Sequence, residues 1–493
     1  MKTNSLDFDA QALREKILDL AMRGKLVPQD PNDEPASVLL EKIKAEKAEL
    51  IKEKKIKKTK PLPPITDDEK PFDIPDSWEW VRCKAVTTMG NFKTVNPSDI
   101  QIGENLIELA DIEANSGHLI KEEIVTSTVG SNKYVYTEGD VLFAKLRPYL
   151  RKVLIAPNDG VCTTELLPIK GINTNNNFLY YVFLSDLFFN QIKREMHGVN
   201  LPRVSPTKLG ELIIPLPPLS EQSRNAAKIA QLFALLRKVE TSTQQYAKLK
   251  TLLKSKVLDL AMRGKLVKQD PNDEPASVLL EKIKAEKQEL IKEKKIKKTK
   301  PLPPITDDEK QFDIPDSWEW VRLGDILSLE NGAIRRGPFG SSLKKAYFVP
   351  KSKNTYKVYE QGNAIHKSID YGNYYISQQK FEELSSFAIR PKDIIISGAG
   401  TIGKTYILPT NAPEGVINQA LIRVRLNNNL ISNEYFLLAF QQKVGLLNKK
   451  AKGTAIKNMF SISHMKNDLV WALPPLSEQS RIITKIRQLF ALL

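Results

Sequence analysis

The chain is written twice. Residues 18–82 recur at 258–322, shifted by 240, and only three pairs differ: Pro28/Lys268, Ala48/Gln288 and Pro71/Gln311. A second repeat relates "LPPLSEQSRNAAKIAQLFALL" at 216–236 to "LPPLSEQSRIITKIRQLFALL" at 473–493, shifted by 257. Between the repeats lie 83–215 and 323–472, which share little sequence and differ in length by 17 residues, the difference between the two shifts. The layout is constant, variable, constant, variable. Whatever fold one copy of the constant part takes, the other must take as well, and this narrows the choice of architecture before any single residue is weighed.

Between the two variable segments, apolar positions step by three and four at Ile229, Leu232, Leu236, Val239, Tyr246, Leu253, Val257 and Leu260. That periodicity predicts one helix from about Ser220 to Leu266 with a coiled-coil-like seam. At 1.5 Å per residue, 45 residues would span roughly 67 Å. The shift of 240 maps Leu258 onto Leu18, and the shift of 257 maps Leu236 onto Leu493. The two ends of the chain therefore correspond to the two halves of a second such helix, and are expected to meet inside it. The expected fold is α+β and pseudo-two-fold: two mixed α/β domains held apart by a long antiparallel helical spacer. The expected parts are 1–24 (completing the second spacer helix), 25–82 (arm and linker), 83–215 (first domain) and 216–266 (central helix). They continue with 267–322 (second arm and linker), 323–472 (second domain) and 473–493 (the rest of the second spacer helix).

Each arm contains "ASVLLEKIKAEKAELIKEKKIKK" or its near copy, which reads as a Lys/Glu-rich helix with a thin apolar line at Leu39, Ile43 and Ile51. Pro35 suits its first turn. "KPLPP" stops it and makes a stiff linker. The basic run "KEKKIKK" can touch phosphate or be merely solvated. In "IPDSWEWVR", Trp78 and Trp80, like Trp318 and Trp320, are expected to pack where domain meets linker.

Both variable segments read as strands, then an amphipathic helix, then a polar turn, so one fold with two surfaces is expected. "GAGTIGKT", Gly398 to Thr405, fits the phosphate-loop pattern in full. That loop functions only where a helix begins at the Lys-Thr, and here "YILPTNAPEG" follows, so a glycine-rich turn between strands is the reading. His118, His197, His366 and His464 form no metal-ligand spacing with one another or with Cys83 and Cys162, and no serine or cysteine has a nucleophile's context. No catalysis by this chain is expected, and no metal. Two cysteines give no disulfide framework, so a reducing cytoplasm is the expected compartment. The start "MKTNSLDFDAQALREK" lacks an apolar core, and "FLYYVFLSDLFF" is too short to span a bilayer.

A net charge of +16 points to a polyanion. It is unevenly placed: 83–215 is near neutral at −1, whereas 323–472 carries +10. A DNA-binding first segment must therefore concentrate its cations, and the candidates are Lys145, Arg147, Arg151, Lys152, Lys193, Arg194 and Arg203. In the second they are Arg335, Arg336, Lys344, Lys345, Lys404, Lys449, Lys450, Lys452 and Lys457. Arginine can grip guanine with two bonds, while lysine more often positions phosphate. Asn200 and Asn458 sit in matching polar turns and can pair with adenine. For each of these residues a solvated surface charge or amide is the alternative.

These residues resemble a known family. "LPPLSEQSR" closing each variable segment, "IPDSWEWVRLGDI" opening the second, "GPFGSSLKK" at 337–345 and "GKLVxQDPNDEPASxLL" resemble type I restriction–modification specificity subunits along essentially the whole chain. The resemblance implies that the variable segments are target-recognition domains, each reading half of a split DNA sequence. It implies that the repeats form the spacer and dock two modification subunits, with two restriction subunits completing the complex. S-adenosylmethionine, ATP and Mg would be held by those partners, not by this chain. The split of one helix between the termini resembles the circularly arranged branch of the family. A non-catalytic coiled-coil scaffold with two protein-binding heads is the competing reading.

Overall fold

The structure, a computed structural model, describes residues 9–58, 61–196, 201–298, 300–399, 401–450 and 461–493, with the backbone alone for 445–450. The chain divides into two compact units, Met1–Gln244 and Gln245–Leu493. Each unit is one complete copy of the written layout: helix, arm, mixed domain, helix.

In the first unit, α1 (Ala10–Met22) and α2 (Ala36–Lys52) precede β1 (Glu79–Arg82). The mixed domain follows with β2 (Thr94–Val95), β3 (Asn105–Ile107), β4 (Glu123–Ile124), β5 (Lys133–Tyr136), β6 (Val141–Ala144), β7 (Val153–Ile155), β8 (Gly160–Thr163) and β9 (Leu166–Ile169). They form a five-stranded sheet, β2-β5-β8-β3-β4, and a three-stranded one, β7-β6-β9. Then come α3 (Asn176–Leu184), α4 (Asp186–Glu195), α5 (Pro206–Glu211) and β10 (Ile213–Leu216), which returns antiparallel to β1. Finally α6 (Leu219–Met262) begins, and its residues to Gln244 belong to this unit. One core joins Leu18 and Met22 of α1, Ile43 of α2, Phe143 of β6, Phe183 of α3 and Ile229 of α6.

The second unit starts with the rest of α6 and repeats the plan with α7 (Ala276–Lys292) and β11 (Glu319–Arg322). Its domain contains β12 (Ile334–Arg336), β13 (Thr355–Tyr359), α8 (Gln361–His366), β14 (Tyr375–Ser377), α9 (Gln378–Glu383), β15 (Ile394–Ser397), β16 (Thr405–Ile407), β17 (Gly415–Ile417) and β18 (Leu421–Val424). After α10 (Asn433–Lys450) and α11 (Ile462–Asn467), β19 (Val470–Leu473) pairs back to β11, and α12 (Leu476–Leu492) closes the chain. The sheets are β12-β18-β15-β16 and β14-β13-β17. The pairings match the first unit strand for strand: β7-β6-β9 with β16-β15-β18, and β4-β3-β8 with β14-β13-β17, each of the latter holding one parallel pair. The two domains are thus one fold. The first adds β5 and β2, and the second adds the edge strand β12.

Within each unit two helices run antiparallel. Arg14 of α1 meets Glu240 (Nη1 to Oε1, 2.9 Å), while Gln29, further along, meets Glu221. In the second unit the Tyr246 hydroxyl reaches the Leu493 carbonyl at 3.4 Å and Lys254 lies over the Phe490 ring, while Gln269 meets Glu478. The two helix ends read from the sequence repeats therefore pair with opposite portions of α6. The junction of the termini involves residues 1–8 and lies outside the described residues.

The motif "SEQSR" at the start of α6 is a clamp. The buried Glu221 carboxylate accepts from Trp78 Nε1 at 2.8 Å and from Gln29 Nε2 at 2.6 Å. Gln222 accepts from the Asn175 amide at 2.9 Å, tying the clamp to the domain. Arg224 grips Asp33 with two bonds, at 3.2 and 2.5 Å, and Ser220 adds a third. The second unit repeats this with Glu478, Trp318 (2.9 Å), Gln269 (2.6 Å), Gln479, Arg481 and Asp273. Burial pushes the Glu221 and Glu478 carboxyls up, and the donors offset part of the rise. Arg224 in turn holds Asp33 below its usual range. A further pin fixes the proline linker: Arg82 holds the Glu69 carboxylate and the carbonyls of Pro63 and Pro64, as Arg322 holds Glu309, Pro303 and Pro304.

Three helix boundaries differ from the sequence expectation. The central helix ends at Met262, not Leu266, because Gly264 (φ +67) takes a left-handed cap; a Cβ there would lie 2.4 Å from the Pro315 ring. The arm helix ends at Lys52, short of Lys58, because Lys54 turns left-handed and Ile56 folds back into the core with its N–H on the Leu50 carbonyl. The helix expected over 176–196, "NNFLYYVFLSDLFFNQIKREM", is two, broken at Ser185, whose hydroxyl caps the second. The expected seam of α6 is also buried only at its ends: Ile229 is covered, whereas Val239, Tyr246 and Leu253 stay about half exposed. Trp78 and Trp80 do pack at the linker, Trp80 against Phe72.

Replacing Glu221 with Ala strands a buried indole N–H and a glutamine amide, and is expected to cost about 1–3 kcal/mol in urea unfolding; an unchanged midpoint would refute the clamp. A second expectation concerns acid. The Arg82 guanidinium, with the Thr66 N–H, holds Glu69 at about 2 against an ordinary 4.5, and Arg322 does the same for Glu309. A depressed carboxyl stabilises the fold fully above its unfolded value and loses that contribution as pH falls through the folded one. The E69Q/E309Q variant should therefore show a flatter stability profile between pH 4.5 and about 2, read from urea midpoints at each pH.

Candidate nucleic-acid interface

In the second unit the sheet β12-β18-β15-β16 gathers cations at one end. Antiparallel register sets Arg336 opposite Ile422, Ser397 opposite Leu421 and Ile396 opposite Thr405. The end of β12, the start of β18, the end of β15 and the start of β16 therefore coincide, and so do their loops at 337–345, 418–420 and 398–404. Backbone bonds lock these loops together: Gly337 N–H to the Leu421 carbonyl at 3.0 Å, and Gly398 N–H to Ala420 at 2.7 Å. Gly337 has no alternative residue, since a Cβ would lie 1.9 Å from the Asn418 carbonyl oxygen. Arg336 donates to the Gln419 carbonyl at 3.2 Å, which fixes the root of its loop. Lys344, Lys345 and Lys404 are exposed and have no side-chain partner among the described residues. The structure thus brings together Arg336, Lys344, Lys345 and Lys404. Arg335 stands on the same strand with its guanidinium over the Phe387 ring.

The phosphate-loop look-alike is a hairpin between β15 and β16, as the sequence context indicated. Ser397 Oγ accepts the Lys404 N–H at 2.9 Å and donates to the Thr401 carbonyl at 2.5 Å, and β16 follows at once where a phosphate loop needs a helix. Gly400 lies outside the described residues.

The matching hairpin of the first unit, β6 to β7, carries Lys145, Arg147, Arg151 and Lys152. Their fates differ. Arg147 is exposed in a left-handed conformation, and Lys145 is half-buried with no side-chain partner among the described residues. Arg151 is spent internally, paired to Asp186 at 2.5 Å and stacked over Phe189. Lys152 donates to the Leu109 carbonyl at 2.6 Å. Arg203 is drawn alongside by the Leu146–Arg203 bridge and lies 3.4 Å from Glu165, half exposed. Asn200, Lys457 and Asn458 lie outside the described residues. Spacing alone gave no sign of which basic residues turn inward: Arg423 and Arg425, on the buried strand β18 and just after it, bond to the Gly332 carbonyl and to Asp393. Cys83 and Cys162 are buried thiols that burial pushes up to about 12. Among the described residues no group of His, Cys, Asp and Glu is placed to hold a metal ion, and no helix is long and apolar enough to cross a membrane.

Two mixed domains of one fold, each framed by the same clamp and each presenting a basic loop cluster, define a paired-domain protein built on a long helix. A family model described as "Type I restriction modification DNA specificity domain" matches residues 78–251 and 315–493. The EcoAI specificity subunit of Escherichia coli is 33% identical over 98% of this chain and 89% of its own, and the E. coli EcoEI subunit is 33% identical over the same shares. A solved chain from work on the assembly and conformational transition of the type I R-M system has 22% identity, covers 85% of this chain and 91% of its own, and gives a TM-score of 0.55. The chain belongs to the type I restriction–modification specificity subunits. Its function is DNA sequence specificity in such a complex, and the scaffold reading is not favoured.

Changing Lys404 to Ala is expected to weaken DNA binding without altering the target, and to lower the slope of log Kobs against log salt by about one. Arg151→Ala should instead lower thermal stability and leave that slope alone. The reverse pattern in filter-binding and melting experiments would overturn this assignment of free and committed cations.

Proposed function

We propose that this chain reads a split DNA target, one half-site per mixed domain, and catalyses nothing itself. The observation that carries this is the pairing of one fold with two surfaces. The domains share their strand pairings, yet one segment is near neutral and the other carries +10, and their loop sequences differ. Identical frames suit two copies of one partner, and divergent loops suit two different half-sites. All three positions at which the 65-residue repeats differ are exposed, so the clamp residues and the buried residues within that repeat are the same in both units.

On this reading the constant parts dock two modification subunits, which bring S-adenosylmethionine, and two restriction subunits, which bring ATP and Mg. The helix α6 with its antiparallel partners acts as the spacer that fixes the gap between half-sites, as dimer geometry does in other bipartite readers. Methylation mapping in a host carrying this gene with its partner subunits should reveal a split, adenine-methylated motif. A contiguous motif, or no gene-dependent methylation, would count against the proposal. Lengthening "TSTQQYAKLK" by whole helical turns should change the tolerated gap in that motif, and an unchanged gap would reject the spacer role.

A further inference from the structure

Phe339, at the tip of "GPFGSS", is 86% exposed, more than any other large apolar side chain among the described residues. The loop that holds it is anchored on both sides. Gly337 is bonded to β18, Leu343 is buried, and a turn closes between them with the Ser342 N–H on the Phe339 carbonyl at 2.9 Å. The ring is therefore carried outward on a fixed turn. The strand end and loop that hold it also carry Arg336, Lys344 and Lys345, and the hairpin whose root adjoins theirs carries Lys404. The three loops, 337–345, 398–404 and 418–420, contain no Asp or Glu. Glu360 lines the hollow beside Lys345, and the other charged groups of these loops are cations. An uncovered aromatic ring on a predominantly cationic loop cluster matches a surface of phosphate outside and stacked bases inside. A protein partner would have to present an apolar pocket ringed by acids. Aromatic and apolar side chains in such settings stack on bases or wedge between base steps.

We propose that Phe339 enters the DNA at the half-site read by the second domain, stacking on a base or opening one base step, while the surrounding cations hold the phosphates. This rests on the DNA-specificity reading and adds a residue and a mode to it. Among the described residues of the first domain no strand pairs with β9 as β12 pairs with β18; its own basic hairpin carries Tyr149, 45% exposed between two left-handed arginines. The distortion is therefore confined to one half of the target.

The test uses the full chain assembled with its modification subunits and a duplex carrying the target found by methylation mapping, with 2-aminopurine replacing the adenines of each half-site in turn, the methylated adenines excepted because a methyltransferase extrudes its target base. The wild-type assembly should raise fluorescence at a single step in one half-site. Phe339→Ala should abolish that signal and lower affinity on the order of 10-fold, with an unchanged salt slope, and Phe339→Tyr should keep both. Lys345→Ala should lower the salt slope by about one and keep the fluorescence signal. Equal affinity and equal fluorescence for Phe339→Ala would overturn the proposal. So would loss of subunit assembly with DNA affinity intact, which would place a protein partner over the ring. Failure of the wild-type assembly to prefer the mapped duplex over a scrambled one would sink the specificity reading itself, and the wedge with it.

Discussion

A carboxylate taken out of water needs donors, and the architecture of each unit is organised around meeting that need. Glu221 and Glu478 are buried at the first turn of a helix, and their donors come from two places far apart in the sequence, the arm glutamine and the tryptophan that leads into the mixed domain. Satisfying one carboxylate therefore fixes three elements at once: the helix, the arm and the mouth of the domain. The bidentate arginine–aspartate pair beside it adds direction, since a planar guanidinium accepts its partner in one orientation. With those contacts made, the β1–β10 and β11–β19 pairs close each domain onto its own frame.

The frame was legible in the sequence because it is repeated, and repetition marks what two copies must share. The long helix, the antiparallel course of its partners, the common fold of the domains and the false phosphate loop all followed from pattern and spacing. The misjudged boundaries were local contests that pattern cannot decide. The heptad-like run past Met262 lost to a single glycine squeezed against a proline ring. The Lys/Glu run past Lys52 lost to one isoleucine, Ile56, that gains more from the core than from another helical turn. Ser185 interrupts an otherwise continuous apolar helix because its hydroxyl serves a new N-terminus.

The cations were harder to read, for a reason visible in Arg147 and Arg151. They stand four residues apart in one loop, share the same left-handed backbone and have the same chemistry, yet one faces solvent and the other lies on Phe189 against Asp186. The deciding groups, a ring and a carboxylate on α4, lie some 35 residues further on, beyond the reach of any local rule. The same holds for β18, where Arg423 is buried by strands on both sides. Exposed aromatic residues escape composition altogether: nothing in the letters "GPFGSS" says that the phenyl ring will be left uncovered while Leu343 is buried.

The additional edge strand of the second domain has a further implication. Two readers whose sheets carry different added strands and loops cannot exchange places on a duplex, however alike their frames. A target read by such a pair has a left and a right, and the bound assembly has a heading along the double helix.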